Sequence, residues 1–139
     1  MFYVNKTTAI DVQVFHNIAV DEMGRPTGMA DGFKPGDPLL HVASWLTTVT
    51  ADDDQVLRTV WHIFNVGDDE EFGPTYAVAL EYRLRGNRSL SKGDVVRIGL
   101  EHYSVDGNGF TRRSIADINY DTNSLSQPGS VRIGAVVTH

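Results

Sequence analysis

Two N-terminal stretches of the chain show the alternation of apolar and polar residues that is typical of strands. Apolar side chains occupy every second position from Ile10 to Val14, and a second alternation runs from Leu40 to about Val49. Because successive side chains of a strand point to opposite faces, both stretches predict strands with one buried face. Residues 21–38 between them are rich in Gly, Pro and Asp and predict an irregular connection. Its length is typical of a functional or partly mobile loop.

The next segment has a helical period. Its apolar residues recur at positions i, i+3, i+4 and i+7, which predicts one buried helix face: Leu57, Val60, Trp61 and Phe64. The polar and acidic residues 50–54 predict the helix start, because a short polar side chain accepts a bond from an unpaired backbone N–H and acids favour the positive end of the helix dipole. Gly67 predicts the helix end, since glycine adopts the left-handed conformation without a steric penalty.

The C-terminal half predicts a turn, a strand and a hairpin. Ser89–Asp94 has the composition of a tight turn and leads into a predicted strand, Val95–Leu100. Tyr103–Asp106 and Phe110–Ile115 predict the two strands of a hairpin. The Asp-Gly-Asn-Gly sequence at its turn supplies residues that adopt the positive φ angles of a two-residue loop.

Three further segments complete the chain. In 76–84 the alanines and leucines favour a short helix, whereas the tyrosines and Val78 favour a strand, so both alternatives stay open. Residues 117–130 are rich in Asn, Ser and Asp and predict a loop-rich tail. Val131–Val137 predicts an edge strand.

Together these elements predict an α+β fold, an antiparallel sheet with one or two helices packed on it. The 139 residues are enough for a single globular domain, residues 1–139, with its own hydrophobic core. The helix face is expected to pack against four apolar residues of the predicted strands: Val95, Ile98, Val105 and Phe110.

Composition narrows the class of protein. The chain has no cysteine, which excludes disulfides, cysteine nucleophiles and thiolate metal sites. No stretch approaches the roughly 18 apolar residues of a membrane-spanning helix. The N-terminus lacks the charged and apolar pattern of a signal peptide. We therefore expect a cytoplasmic protein that does not bind a membrane.

Charge is unevenly distributed along the chain. The net charge is −6, yet residues 81–113 carry seven Lys/Arg against four Asp/Glu. We predict that these seven cations form a basic face that binds a partner: Arg83, Arg85, Arg88, Lys92, Arg97, Arg112 and Arg113. The alternative is that they pair internally with the acidic residues 68–71 or are simply solvated.

The sequence lacks the residue spacings of known metal and cofactor sites. The acidic clusters 52–54 and 68–71 do not have the alternating ligands of a calcium loop. The glycines form neither a dinucleotide-binding nor a phosphate-binding loop. We therefore expect no metal and no cofactor.

The sequence likewise contains no assembled catalytic motif. Ser89 and Ser91 lack the strained turn of a nucleophilic serine, and we expect them to satisfy turn backbone groups instead. The five histidines are His16, His41, His62, His102 and His139, and none has metalloprotease spacing. His41 and His102 lie on predicted strands, so an enzyme that uses them with a carboxylate is a disfavoured alternative.

Three motifs within residues 56–113 recur in one known family: Phe64-Asn65, the turn and strand 85–96 around Ser-Leu-Ser-Lys-Gly-Asp-Val-Val, and 103–110 around Tyr-Ser-Val-Asp. On these residues the chain resembles the YodL-like domain family. The chain departs from the family pattern in three places, because Asn87 and Arg88 separate Gly86 from Ser89, Gly93 stands where serine is common, and the 68–82 linker is long.

The resemblance implies an association with mobile genetic elements, but it implies no catalytic activity. Such domains occur in proteins of phages, plasmids and conjugative elements, often beside modules thought to counter host defences. The motif provides no catalytic residues. We expect Ser89 and Ser91 to order the turn, Asp94 to cap or pair within it, Val95 and Val96 to enter the core, and Phe110 to close the hairpin.

We therefore expect a small non-catalytic interaction or regulatory protein, associated with a mobile genetic element, that uses the basic face to bind an unknown protein partner. A nucleic-acid-binding module is the alternative, which the overall acidity of the chain makes less favourable. An enzyme is the least favoured class.

Overall fold

The structure, a computed structural model, describes residues 9–48, 52–65, 82–84, 88–120 and 131–137. Seven strands are described: β1 (Ala9–Asn17), β2 (Pro38–Thr48), β3 (Val95–Ile98), β4 (Glu101–Asp106), β5 (Gly109–Arg113), β6 (Asn119–Tyr120) and β7 (Val131–Val137). The helices are α1 (Gly28–Asp31), α2 (Asp53–Asn65) and a 3-10 turn, Ile115–Asp117. The predicted helix end at Gly67, the acidic residues 68–71 and most of the ambiguous segment 76–84 lie outside the described residues; 82–84 are helical.

The described strands form one sheet in the order β5-β4-β3-β1-β2. All neighbours along this path are antiparallel, whereas β6 and β7 both pair with β2 in parallel. The prediction of an antiparallel sheet with a packed helix is therefore confirmed. The strands predicted around Ile10, Leu40 and Val131 are also confirmed. None of the described helices is long and apolar enough to cross a membrane.

Helix α2 begins at a reciprocal cap. The Gln55 amide donates to Asp52 Oδ1 (2.9 Å), and the Asp52 amide donates to Gln55 Oε1 (3.1 Å). This capping box satisfies backbone donors that have no partner within the helix. Asp53 and Asp54 follow in the first turn, where their charges are stabilised by the helix dipole. The predicted helix start is confirmed.

The sheet separates two apolar clusters. The larger lies between α2 and the sheet, and its helix residues pack on β1, β3 and β4: Val56, Leu57 and Val60 against Val12, Val14, Val96, Ile98 and Val105. The smaller contains Phe15, Phe33, Leu39 and Val95. Consecutive strand residues such as Val95 and Val96 face opposite sides, so they enter different clusters.

The structure corrects the predicted helix contacts. Val96, not Val95, shares a cluster with α2. Trp61, predicted to be buried, is 45% exposed. It lines a hollow with the tip of the β4–β5 hairpin, where Gly107 and Gly109 have no side chains to cover the indole. The side chain of Phe64 lies outside the described residues.

Four smaller predictions are also corrected. The positive φ angle at the hairpin tip belongs to Gly109 (φ 148°) and not to Gly107. The strand predicted from Val95 ends at Ile98, because Gly99 turns the chain with φ 59°. The predicted loop-rich tail contains β6, and its 121–130 portion lies outside the described residues. The connection 21–38 contains the short helix α1.

Candidate functional site

A buried ion pair organises the turn before β3. The carboxylate of Asp94 is fully buried and accepts two hydrogen bonds from the guanidinium of Arg88, at 2.7 and 2.8 Å. It also accepts from the backbone amides of Ser91 (2.7 Å) and Asn17 (2.8 Å). Bidentate bonds between two charges are among the strongest in proteins. Asp94 thus ties the turn to the end of β1, as its predicted pairing role requires.

The charge state of Arg88 follows from this pair. Burial by itself lowers the pKa of Arg88, but the hydrogen bonds and negative charge of Asp94 outweigh that effect, and the pKa is raised. Arg88 also donates to the carbonyl of Ser89 (2.9 Å). It therefore uses three of its five N–H donors within the described residues, and its side chain is 35% exposed.

Close backbone contact fixes the turn against α1. Gly93 has φ +95°, and a Cβ atom added to it would lie 2.7 Å from the Cα of Gly28. The side chain of Asn17 donates to the Gly93 carbonyl (3.0 Å) and to Asp37 (2.9 Å). Only glycine at position 93 permits this approach, because it has no side chain and tolerates the left-handed conformation.

A buried His–Tyr pair lies behind the turn. The hydroxyl of Tyr82 donates to the carbonyl of Arg88 (2.6 Å), so His16 Nε2, 2.5 Å away, must be the donor to that hydroxyl. Burial lowers the pKa of His16 to about 4; the charge of Asp94 opposes this shift, and that of Arg88 adds to it. Burial also raises the pKa of Tyr82. Both groups are therefore neutral near pH 7.

An open cleft of about 260 Å³ adjoins this network, and we call it the apolar cleft. One wall is the 18–29 segment, which contributes apolar side chains: Ile18, Ala19, Val20, Pro26 and Met29. The other wall contains His16, Arg88 and Lys92. Val20 is 58% exposed and Met29 47% exposed, so apolar surface faces solvent beside two cations.

The seven basic residues of the predicted face occupy several places. Within the described part of the chain, Arg88 and Lys92 line the apolar cleft, and the ammonium of Lys92 donates to the Ala30 carbonyl (3.3 Å). Arg83 is partly buried beside Tyr82. Arg85 lies outside the described residues.

The remaining three basic residues lie on the sheet. Arg97 donates to the Gly99 carbonyl (2.7 Å), and Arg112 pairs with Glu101 (2.5 Å). Arg113 donates to Ser104 Oγ (2.8 Å) and lies over the ring of Phe33. Arg112 and Arg113 are consecutive on β5 and point to opposite faces of the sheet. The partner-binding role of the seven residues stays a prediction, but they are not on one face.

The described histidines are also dispersed. His41 lies on β2 against the ring of Phe15, whereas His102 lies on β4, and β1 and β3 separate their strands. Burial and the charge of Arg97 lower the pKa of His102. Among the residues that the structure describes, no three His, Asp or Glu side chains are grouped to hold a metal ion.

The apolar wall of the cleft was not predicted from the sequence, because Ile18, Val20 and Met29 show no strand or helix period. The signal that could have identified it is the presence of large apolar residues in and next to a Gly- and Pro-rich connection, because such connections normally contain polar residues.

Comparison with known proteins does not extend this description. No protein-family model, no curated protein and no solved structure matches the chain. The resemblance to the YodL-like domain family therefore stays a prediction.

Proposed function

We propose that this chain is a non-catalytic interaction protein whose apolar cleft receives one large apolar side chain of a partner protein. A carboxylate next to that side chain in the partner would approach Arg88 and Lys92. The observation that supports this proposal is the meeting of exposed apolar surface at Val20 and Met29 with two cations in one cleft.

The size of the cleft favours a side chain over a small-molecule ligand. Its volume of about 260 Å³ is below the roughly 300–1,000 Å³ of typical ligand pockets. Interfaces obtain much of their affinity from a few apolar or aromatic anchors that fill such hollows. The preference for an acid beside the anchor follows from the two N–H donors of Arg88 that have no acceptor among the described residues.

Nucleic-acid binding is less well supported. Affinity for nucleic acid depends on several cations that contact phosphates together. The chain has a net charge of −6, and its basic residues are dispersed: Arg88 and Lys92 line the apolar cleft, whereas Arg112 and Arg113 point to opposite faces of β5.

The test is selection of a random 12-residue peptide library on the immobilised full chain, followed by affinity measurements on variants. Val20→Asp introduces a charge at the apolar wall, and we expect it to lower the affinity for the enriched acidic peptides about tenfold or more. Leu84→Asp makes the same change at an exposed leucine that does not line the cleft, and it should have no effect. Equal affinity for both variants, or enrichment of no acidic peptide, would contradict the proposal.

We also propose a cytoplasmic location and an association with mobile elements, as the absence of cysteine and the YodL-like motifs suggest. The genes that neighbour the coding sequence test the second point. Replication, transfer or phage genes would support it, and conserved housekeeping neighbours would contradict it.

A further inference from the structure

Strand β5 is an edge of the sheet. Among the strands that the structure describes, Gly109–Arg113 pairs only with β4. Thr111 and Arg112 are exposed, and the strand contains neither a proline nor a bulge. Proteins commonly protect an edge with such features, because an open edge can pair with another strand.

The direction of its backbone groups follows from the pairing of β4. The amide of Val105 donates to the Asp94 carbonyl (2.8 Å), and the Val105 carbonyl accepts from Gly93 (2.9 Å). Both bonds point away from β5. The backbone N–H and C=O groups of successive strand residues point alternately to the two sides of the strand, so those of Tyr103 also point away from β5. Phe110 and Arg112 lie opposite Val105 and Tyr103 on β5, and they therefore direct their N–H and C=O groups outward.

Each end of β5 meets a hollow. Near Gly109, a hollow of about 410 Å³ lies between the hairpin tip and α2, and it is lined by Trp61, Arg58 and Phe110 among others. Near Arg113, a hollow of about 430 Å³ is lined by Arg112 with its partner Glu101, by Arg113, and by two exposed apolar residues, Leu100 and Ile115. Five strand residues span about 17 Å, so one extended segment reaches both.

We propose that β5 accepts an extended, acidic segment of a partner protein by strand addition. Main-chain bonds to Phe110 and Arg112 would hold the segment, and side-chain hollows would select it. An aromatic residue of the segment stacks on Trp61 at one end, and a carboxylate approaches Arg112 and Arg113 at the other. This surface is distinct from the apolar cleft, and the two proposals stand independently.

The decisive variant is Arg112→Pro. Proline removes the outward N–H and places its ring in the path of an added strand, but it costs no bond to β4 because that N–H does not face β4. Arg112→Thr is the matched control, since it removes the same charge and keeps the N–H. Peptides of 12 random residues are selected on the full wild-type chain and counter-selected against Arg112→Pro.

We expect the recovered peptides to combine an aromatic residue with Asp or Glu, and to bind Arg112→Pro at least tenfold more weakly than Arg112→Thr. Val20→Asp, which alters the apolar cleft, should leave these affinities unchanged. As a measurement that needs no variant, the amides of Phe110 and Arg112 in the wild-type chain should exchange at least tenfold more slowly with peptide bound. Recovery of no such peptide, equal affinity for the proline and threonine variants, or unchanged amide exchange would overturn the proposal.

Discussion

Replacement of Asp94 by alanine should destabilise the protein more than any other single change to a polar residue discussed above. The substitution leaves the guanidinium of Arg88 without its counter-charge and removes the acceptor of the Ser91 and Asn17 amides. Breaking a buried ion pair by removing one partner costs about 3–5 kcal/mol. That is a large part of the roughly 5–15 kcal/mol by which a domain is stable.

The assay is urea denaturation followed by far-ultraviolet circular dichroism. With a slope of about 2 kcal/mol per molar urea, we expect the midpoint of Asp94→Ala to fall by about 2 M. Asp106→Ala is the matched control, because Asp106 accepts a bond from the Thr111 hydroxyl at an exposed position and its loss should cost below about 1 kcal/mol. Equal midpoints for the two variants would refute the assignment of Asp94 as the anchor.

A double variant separates the charge from the backbone bonds. Arg88→Met alone should also destabilise, since it leaves a buried carboxylate without its cation. Arg88→Met combined with Asp94→Ala removes both charges, so its loss should be smaller than the sum of the single losses by about 1 kcal/mol or more. Additive losses would show that the ion pair contributes nothing beyond the amide contacts.

Three further predictions concern the same region and the helix that covers the core. Gly93→Ala should cost at least about 1–2 kcal/mol, because alanine at φ +95° is strained and its Cβ would clash with Gly28; urea denaturation measures this. The free energy of unfolding should fall by about 2 kcal/mol between pH 6.5 and pH 5, because His16 takes up a proton in the unfolded chain but stays neutral in the folded chain, where its pKa is about 4. The His16→Gln variant should not show this pH dependence. Gln55→Ala should lower the melting temperature by a few degrees, since half of the capping box is lost, and an unchanged value would contradict that role.

Local patterns were sufficient to predict most of the elements. Helix α2 and its cap could be predicted because both depend on residues close together in the sequence: the i, i+3, i+4 spacing from Leu57 and the acidic residues from Asp52. Alternation did the same for β1 and β2. Trp61 was misassigned because its exposure depends on what the β4–β5 hairpin presents to it, and a helical period contains no information about the opposite surface.

The candidate site could be predicted only in part. Asp94 was expected to pair within its own turn, and the hydrogen bond that it accepts from the Ser91 amide is such a local contact. The apolar cleft joins residues 18–29 to Arg88 and Lys92, which are about sixty positions away, and one of its contacts links Lys92 to Ala30. This surface is created by the close approach of Gly93 to Gly28. Nothing in the sequence around either glycine indicates that the two come together, so the cleft could not be predicted.

The most direct test of the proposed docking role is a nuclear magnetic resonance titration of the ¹⁵N-labelled chain with the acidic peptides enriched on it. The account predicts that the largest shifts occur at the amides of Ile18, Val20, Met29 and Lys92, with little change around Asp52 at the start of α2. Shifts that avoid the 18–29 segment altogether would contradict the claim that the apolar cleft receives a partner's side chain.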